Sequence, residues 1–194
     1  MPADLTPFPL LPPAFFRRDA RVVAREILGH RLVTLVGGIR TSGRIIETEA
    51  YVGEMDAASH CHRGKTTRNQ AMFLEGGHAY VYFIYGVHHC FNVVTGEAGQ
   101  GQGVLIRGVE PTEGIEVMRQ RRKRPAGSIA SLADGPGKLT IALGIGPEQN
   151  GVALLHNPHI WIEQDVQLTD HEIRRTPRIG ITKSAELEWR WVRK

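Results

Sequence analysis

Cysteine is almost missing: Cys61 and Cys90 are the only two in 194 residues, too few for a disulfide framework. Apolar runs of transmembrane length and a signal peptide are missing too, so the chain reads as soluble and cytoplasmic. Lysine is scarce. Only Lys65, Lys123, Lys138, Lys183 and Lys194 occur among 24 basic residues, which leaves 19 arginines. The planar donor fork of arginine suits phosphate, but genomic base composition enriches arginine equally well. No internal repeat, domain linker or complete phosphate-loop spacing is present. Cys61, His62, His88, His89 and Cys90 are zinc-ligand types but lack C-x-x-C or H-x-x-x-H spacing, and neighbours on a strand face opposite ways. They read as packing cysteines and hydrogen-bonded histidines, with no metal and no cofactor. Neither cysteine stands at a helix start or nucleophile elbow, which counts against a Cys-His hydrolase.

What is present suffices for one core. At 41% hydrophobic the chain can bury a single domain over residues 15–194, and a net charge of +4 suits an anionic partner without demanding one. Residues 1–14 hold Pro2, Pro7, Pro9, Pro12 and Pro13 and read as an extended or disordered lead-in. Asp19 can cap a helix carrying Val22, Val23, Ile27 and Leu28 towards Gly29. A strand over residues 31–36 and a Gly37-Gly38 turn follow. Residues 60–72 read as a polar, basic surface loop, and residues 103–109 as a short strand. Pro111 and Thr112 open a helix ending in Arg119-Gln-Arg-Arg-Lys-Arg124, either a solvated helix end or a phosphate-contacting patch. Gly135-Pro-Gly-Lys138 reads as a turn at a helix start that could face an anion. Residues 160–163 and 189–192 read as closing strands whose tryptophans fill the core edge. Short strands alternating with helices indicate a mixed α+β domain.

The chemistry concentrates between residues 43 and 94. Gly43-Arg-Ile-Ile-Glu-Thr-Glu-Ala-Tyr-Val-Gly53 alternates with period two, so Ile45, Glu47, Glu49 and Tyr51 are expected on one strand face. Glu49 beside Tyr51 could serve as a general base, with Glu47 as its rival, or stand as a surface glutamate. Residues 79–94 read as a β-hairpin with Tyr85 at its tip. Its tyrosines could stack on a flat ligand or simply pack the sheet. A three-residue loop pairs Tyr82 with Cys90 and puts Asn92 on the face of Tyr82; a two-residue loop turns Asn92 away.

These segments, with Ala57-Ala-Ser-His60, Thr67-Arg-Asn69, Tyr80-Val-Tyr-Phe-Ile-Tyr-Gly86, His89-Cys-Phe-Asn92, Gly103-Val-Leu-Ile-Arg107 and Gly135-Pro-Gly-Lys-Leu139, resemble the alkyladenine (3-methyladenine or methylpurine) DNA glycosylase family over residues 15–181. The resemblance implies a single α+β domain with a curved antiparallel sheet, surrounding helices and a protruding β-hairpin. It implies a monofunctional base-excision repair enzyme that extrudes a damaged purine from double-stranded DNA and hydrolyses its N-glycosidic bond. On this resemblance Glu49 activates the water and Arg107 helps to hold it. Tyr51, His60 and Tyr82 sandwich the base, Asn92 crowds the exocyclic amine of normal guanine, and Tyr85 fills the gap in the stack. Arg68 and Lys138 are expected phosphate contacts. A single wedge needs no more than a monomer, and the absence of long extensions resembles a bacterial member acting on nucleoid DNA. A catalytically silent nucleic-acid-binding module and a lyase using Lys138 as Schiff-base amine remain as alternatives.

Overall fold

The computed structural model describes residues 8–84, 86–124 and 126–194. The described residues form one eight-stranded antiparallel sheet with four α-helices, a mixed α+β domain. Six strands lie in the order β3 (Ala79–Ile84), β4 (His88–Thr95), β5 (Gln102–Glu113), β2 (Ile39–Val52), β1 (Arg31–Val36) and β6 (Ile160–Glu163). β2 is 14 residues long. One of its edges runs along β5, while the other carries β1 at its start and β8 (Arg190–Arg193) towards its end, with β7 (Ile173–Thr176) beyond β8. Gly37 and Gly38 link β1 to β2 with φ of 63° and 75°, the left-handed values that a two-residue hairpin turn requires. No helix of the described residues is long and apolar enough to cross a membrane.

Alternation decides what each face of the sheet meets. Ala79, Val81, Phe91, Val93, Val104, Ile106, Ala50 and Val52 point into the main core. There they meet α2 (Ala20–Glu26), α3 (Ile115–Arg121) and α4 (Pro136–Leu143) through Val23, Ala24, Met118, Leu139, Ala142 and Leu143. Asp19 caps α2 by accepting from the Arg21 amide at 2.8 Å, as the sequence pattern predicts. Two side-chain hydroxyls tie helices to the sheet: Thr48 Oγ1 donates to Ala24 O at 2.7 Å and Thr140 Oγ1 to His89 O at 3.1 Å. The described part of the lead-in lies along β6, where Gln164 N donates to Pro9 O at 2.7 Å, before α1 (Pro13–Phe16) opens.

Two local expectations are corrected. Ile45 does not share a face with Glu47 and Glu49: the register shifts between Ile45 and Glu47 and again between Glu47 and Thr48, which leaves Ile45 in the core with Ala50. Pro111 opens no helix, because it lies in β5 opposite Gly43. The helix waits for Gly114, whose φ of 69° ends the strand, and begins at Ile115. Residues 60–72 are the largely exposed loop that the sequence suggests, pinned at a few points. Buried Asn69 ties them by donating to His60 O at 2.8 Å and Gly64 O at 3.0 Å, and a 3-10 turn (Gln70–Phe73) follows.

Candidate active site

The sheet face turned away from α2 carries a row of side chains at one level. Tyr80 is paired with Asn92, Asn92 with Leu105, and Leu105 with Glu49, so β3, β4, β5 and β2 each contribute one residue. Tyr82 pairs with Cys90 across the hairpin, which gives the three-residue connection of residues 85–87 and puts Asn92 on the face of Tyr82. Over this row opens a cavity of about 340 Å³, within the range of small-ligand sites. The strands give its wall Tyr51, Tyr80, Tyr82, Cys90, Asn92, Leu105 and Arg107; loops add Ala58, Ser59, His60 and residues 179–181, and the start of α4 adds Pro136 and Gly137.

The wall is aromatic and uncharged on one side. His60 meets Tyr82 edge-on at 4.6 Å between centroids, and Tyr82 stacks with Tyr80 at 5.3 Å. His60 Nδ1 pairs with Tyr80 Oη at 3.1 Å. The His60 ring keeps one side open to solvent, but desolvation on its walled side, and then the charge of Arg68, hold the imidazole below its ordinary pKa, so the neutral form predominates at pH 7. Burial pushes the Tyr80 phenol up to about 12 and raises Tyr51, Tyr82 and Cys90 as well, so these groups are hydrogen-bonding rather than ionic at neutral pH. Asn92 donates from Nδ2 to Tyr80 O at 3.1 Å, which leaves its Oδ1 without a donor among the described residues.

The other side is charged and lies one layer deeper. Glu49 is fully buried and is not itself a lining residue. Tyr51 Oη donates to its Oε2 at 2.9 Å and Ile179 N to its Oε1 at 2.8 Å, while Arg107 Nη1 stands 3.4 Å from Oε1. Tyr51, Arg107 and Ile179 all line the cavity, so the carboxylate is one side chain from open space. Burial opposes the charge of Arg107, but Glu49 and Glu47 beside it hold its pKa above the ordinary value. Glu47 is differently placed: Arg107 Nε and Arg190 Nε both donate to its Oε1, at 2.8 and 2.6 Å, and it does not line the cavity.

The structure thus gathers Tyr51, His60, Tyr82, Asn92 and Arg107 around one cavity with Glu49 behind them. Arg68 is exposed, and Lys138 is engaged by Asp134 at 2.7 Å and does not line the cavity. Tyr85 lies outside the described residues; its neighbours Phe83 and Val87 are exposed at 52% and 65%, so the hairpin end offers apolar surface to solvent. Among the described residues no three His, Cys, Asp or Glu side chains cluster as metal ligands would. Sequence reasoning missed residues 179–181, which carry no periodicity and reach the site only because the chain returns to β2 some 130 residues after Glu49. It also missed the arginine that precedes them. Arg178 is buried against Asp56, a pair 122 positions apart with no local signal.

Residues 14–194 match the family model described as methylpurine-DNA glycosylase (MPG). The match includes the tail after residue 181 that the motif resemblance does not reach. Similar curated proteins include one from Bacillus mycoides, 46% identical over 183 residues that cover 90% of each chain. Others come from Koribacter versatilis, 43% identical with 98% of this chain and 91% of the relative covered, and Methanoculleus marisnigri, 46% identical with 95% of each covered. All three are provisionally named 3-methyladenine DNA glycosylase.

Proposed function

The chain belongs to the methylpurine-DNA glycosylase family, and from that membership we propose that it extrudes alkylated or deaminated purines from duplex DNA and excises them with a water activated by Glu49. Membership makes it a hydrolase of N-glycosyl bonds, of the 3-methyladenine DNA glycosylase type, with DNA as substrate. The finer reading rests on one observation: a fully buried carboxylate, joined to an arginine and a tyrosine, sits directly behind the wall of an aromatic cavity. N-alkylation at purine N3 or N7 leaves the base cationic, and a cationic base is a better leaving group. Electron-rich rings such as Tyr51 and Tyr82 attract a desolvated cation by on the order of 1 kcal/mol or more. Extrusion costs a few kcal/mol, less where pairing is already damaged, so selection begins before bond cleavage. Neutral His60 adds no repulsion to a cationic base.

In the hydrolytic step a water held between Arg107 and Glu49 gives its proton to the carboxylate as its oxygen attacks the anomeric carbon, and the purine leaves with the glycosidic electron pair. The guanidinium of Arg107 stabilises the negative charge near that oxygen, and Tyr51 holds the other carboxylate oxygen in place. Asn92, fixed through Nδ2, stands where an exocyclic amine on a normal guanine would press against the wall. At the hairpin end Tyr85 fills the space left in the stack, flanked by exposed Phe83 and Val87, as apolar wedges do in the minor groove. The lyase alternative loses support because Lys138 is paired with Asp134 and does not line the cavity.

The test uses duplexes that carry hypoxanthine or a methylated purine, with alkali to cleave abasic sites. The native chain is expected to produce strand breaks, and Glu49→Gln to slow them at least about 100-fold while still binding DNA. Undiminished breakage by Glu49→Gln would move the base elsewhere. An adduct trapped by borohydride would restore the lyase.

A further inference from the structure

Arg178 and Asp56 form an ion pair in which both side chains are 0% exposed. Nη1 of Arg178 donates to Asp56 Oδ2 at 2.5 Å and to Ala50 O at 2.9 Å, and Nη2 donates to Asp56 Oδ1 at 2.8 Å. The guanidinium lies 4.6 Å from the ring centroid of Tyr51 and 5.2 Å from that of Trp189, and its Nε is enclosed without a partner among the described residues. Buried pairs of this kind rarely stabilise more than apolar side chains of equal volume, and an unpartnered N–H adds to the cost. Stability therefore does not account for the pair, whereas its location does.

The residue after Arg178 is Ile179, whose amide donates to Glu49 Oε1 at 2.8 Å and which lines the cavity. Asp56 accepts in addition from Val52 N at 3.3 Å and Ala58 N at 3.1 Å, at the start of the stretch that places Ser59 and His60 on the wall. One ion pair thus joins two wall segments far apart in sequence, backs the ring of Tyr51 and fixes a donor on Glu49. We propose that Arg178, clamped by Asp56, is the positioning residue of this site: it sets the carboxylate of Glu49 and the ring plane of Tyr51 against the sugar and base of an extruded nucleotide. It touches no substrate, because it lies outside the cavity lining and acts through Ile179 and Tyr51. The inference rests on Glu49 being the base.

The experiment separates rate from affinity. Single-turnover excision of hypoxanthine is measured with enzyme in excess, and affinity on a duplex carrying a tetrahydrofuran abasic analogue, for Arg178→Lys, Arg178→Gly and Asp56→Asn. Thermal melts establish the folded fraction. Arg178→Lys and Asp56→Asn are expected to excise about 100-fold more slowly, with affinity held within about threefold and the loss confined to the chemical step. Methylguanidinium added to Arg178→Gly is expected to restore a large part of the lost rate. Asp56→Asn keeps the shape of the pair, so it decides the matter if the Arg178 variants do not fold. Native excision rates in Arg178→Lys or in Asp56→Asn, or losses that follow the folded fraction alone, overturn the proposal. If Glu49→Gln is inactive while both conservative variants keep native rates, only the clamp fails; if Glu49→Gln stays active, the base assignment fails first.

Discussion

At the scale of single residues, His60 offers the sharpest pH test. Its imidazole is held below the ordinary 6.5, first by burial and then by Arg68. A histidine with a depressed folded pKa adds stability that is complete above 6.5 and is lost as pH falls through the folded value, where protonation must take place in the aromatic wall. Melting temperatures should therefore drop more steeply below pH 6.5 in the native chain than in His60→Gln. Excision of a cationic methylpurine should fall over the same interval more than excision of neutral hypoxanthine, and His60→Gln should remove that difference. An acid limb common to both substrates would have another origin. The sequence alternation led to Glu47 and Glu49 together but could not choose between them. The distinction lies in partners at long range: Arg190, which binds Glu47, is 143 positions away, and the amide that binds Glu49 is 130 away. Alternation likewise misplaced Ile45, since a paired register shift on β2 and β5 leaves no mark in the hydrophobic pattern.

Among elements, those fixed by local signals were readable. The Asp19 cap, the Gly37-Gly38 turn and the alternation of residues 79–94 each contain their whole cause within a few residues. The junction of β5 and α3 was not readable from Pro111, because proline suits the first turn of a helix as well as it suits a strand position that needs no donor. Gly114 was the informative residue. A Cβ there would meet Thr41 Cγ2 at 2.6 Å and Arg40 O at 2.7 Å, and φ is 69°. Gly114→Ala should lower unfolding free energy by about 1–3 kcal/mol, seen as a reduced midpoint in urea with an unchanged slope. An unaltered midpoint would mean that the junction yields freely and that the glycine is incidental.

For the whole molecule, the basic excess divides into two kinds of cation. Arg119, Arg121 and Arg122 point their guanidinium groups at carbonyl oxygens of Gly127, Ala142 and Leu132, so this part of the arginine run belongs to the fold. Arg63, Lys65 and Arg68 are exposed and without an ion pair among the described residues. Duplex affinity measured by anisotropy across a salt series should lose about one unit of log–log slope in Arg68→Ala and keep its slope in Arg122→Ala. Equal slopes in native and Arg68→Ala would remove Arg68 from the DNA surface. The α+β class was readable because the short strands announce themselves, whereas the closing of β7, β8 and residues 178–181 onto β2 depends on contacts no local pattern encodes. The level row from Tyr80 through Asn92 and Leu105 to Glu49 carries a consequence for strand length. Side chains on a strand alternate, so a residue inserted into or deleted from one of these four strands, unless a bulge such as those between β2 and β5 absorbs it, would swap wall-facing groups for core-facing ones. The four wall positions therefore tolerate exchange of one side chain for another far better than a change of strand length, which the connections between strands absorb more easily.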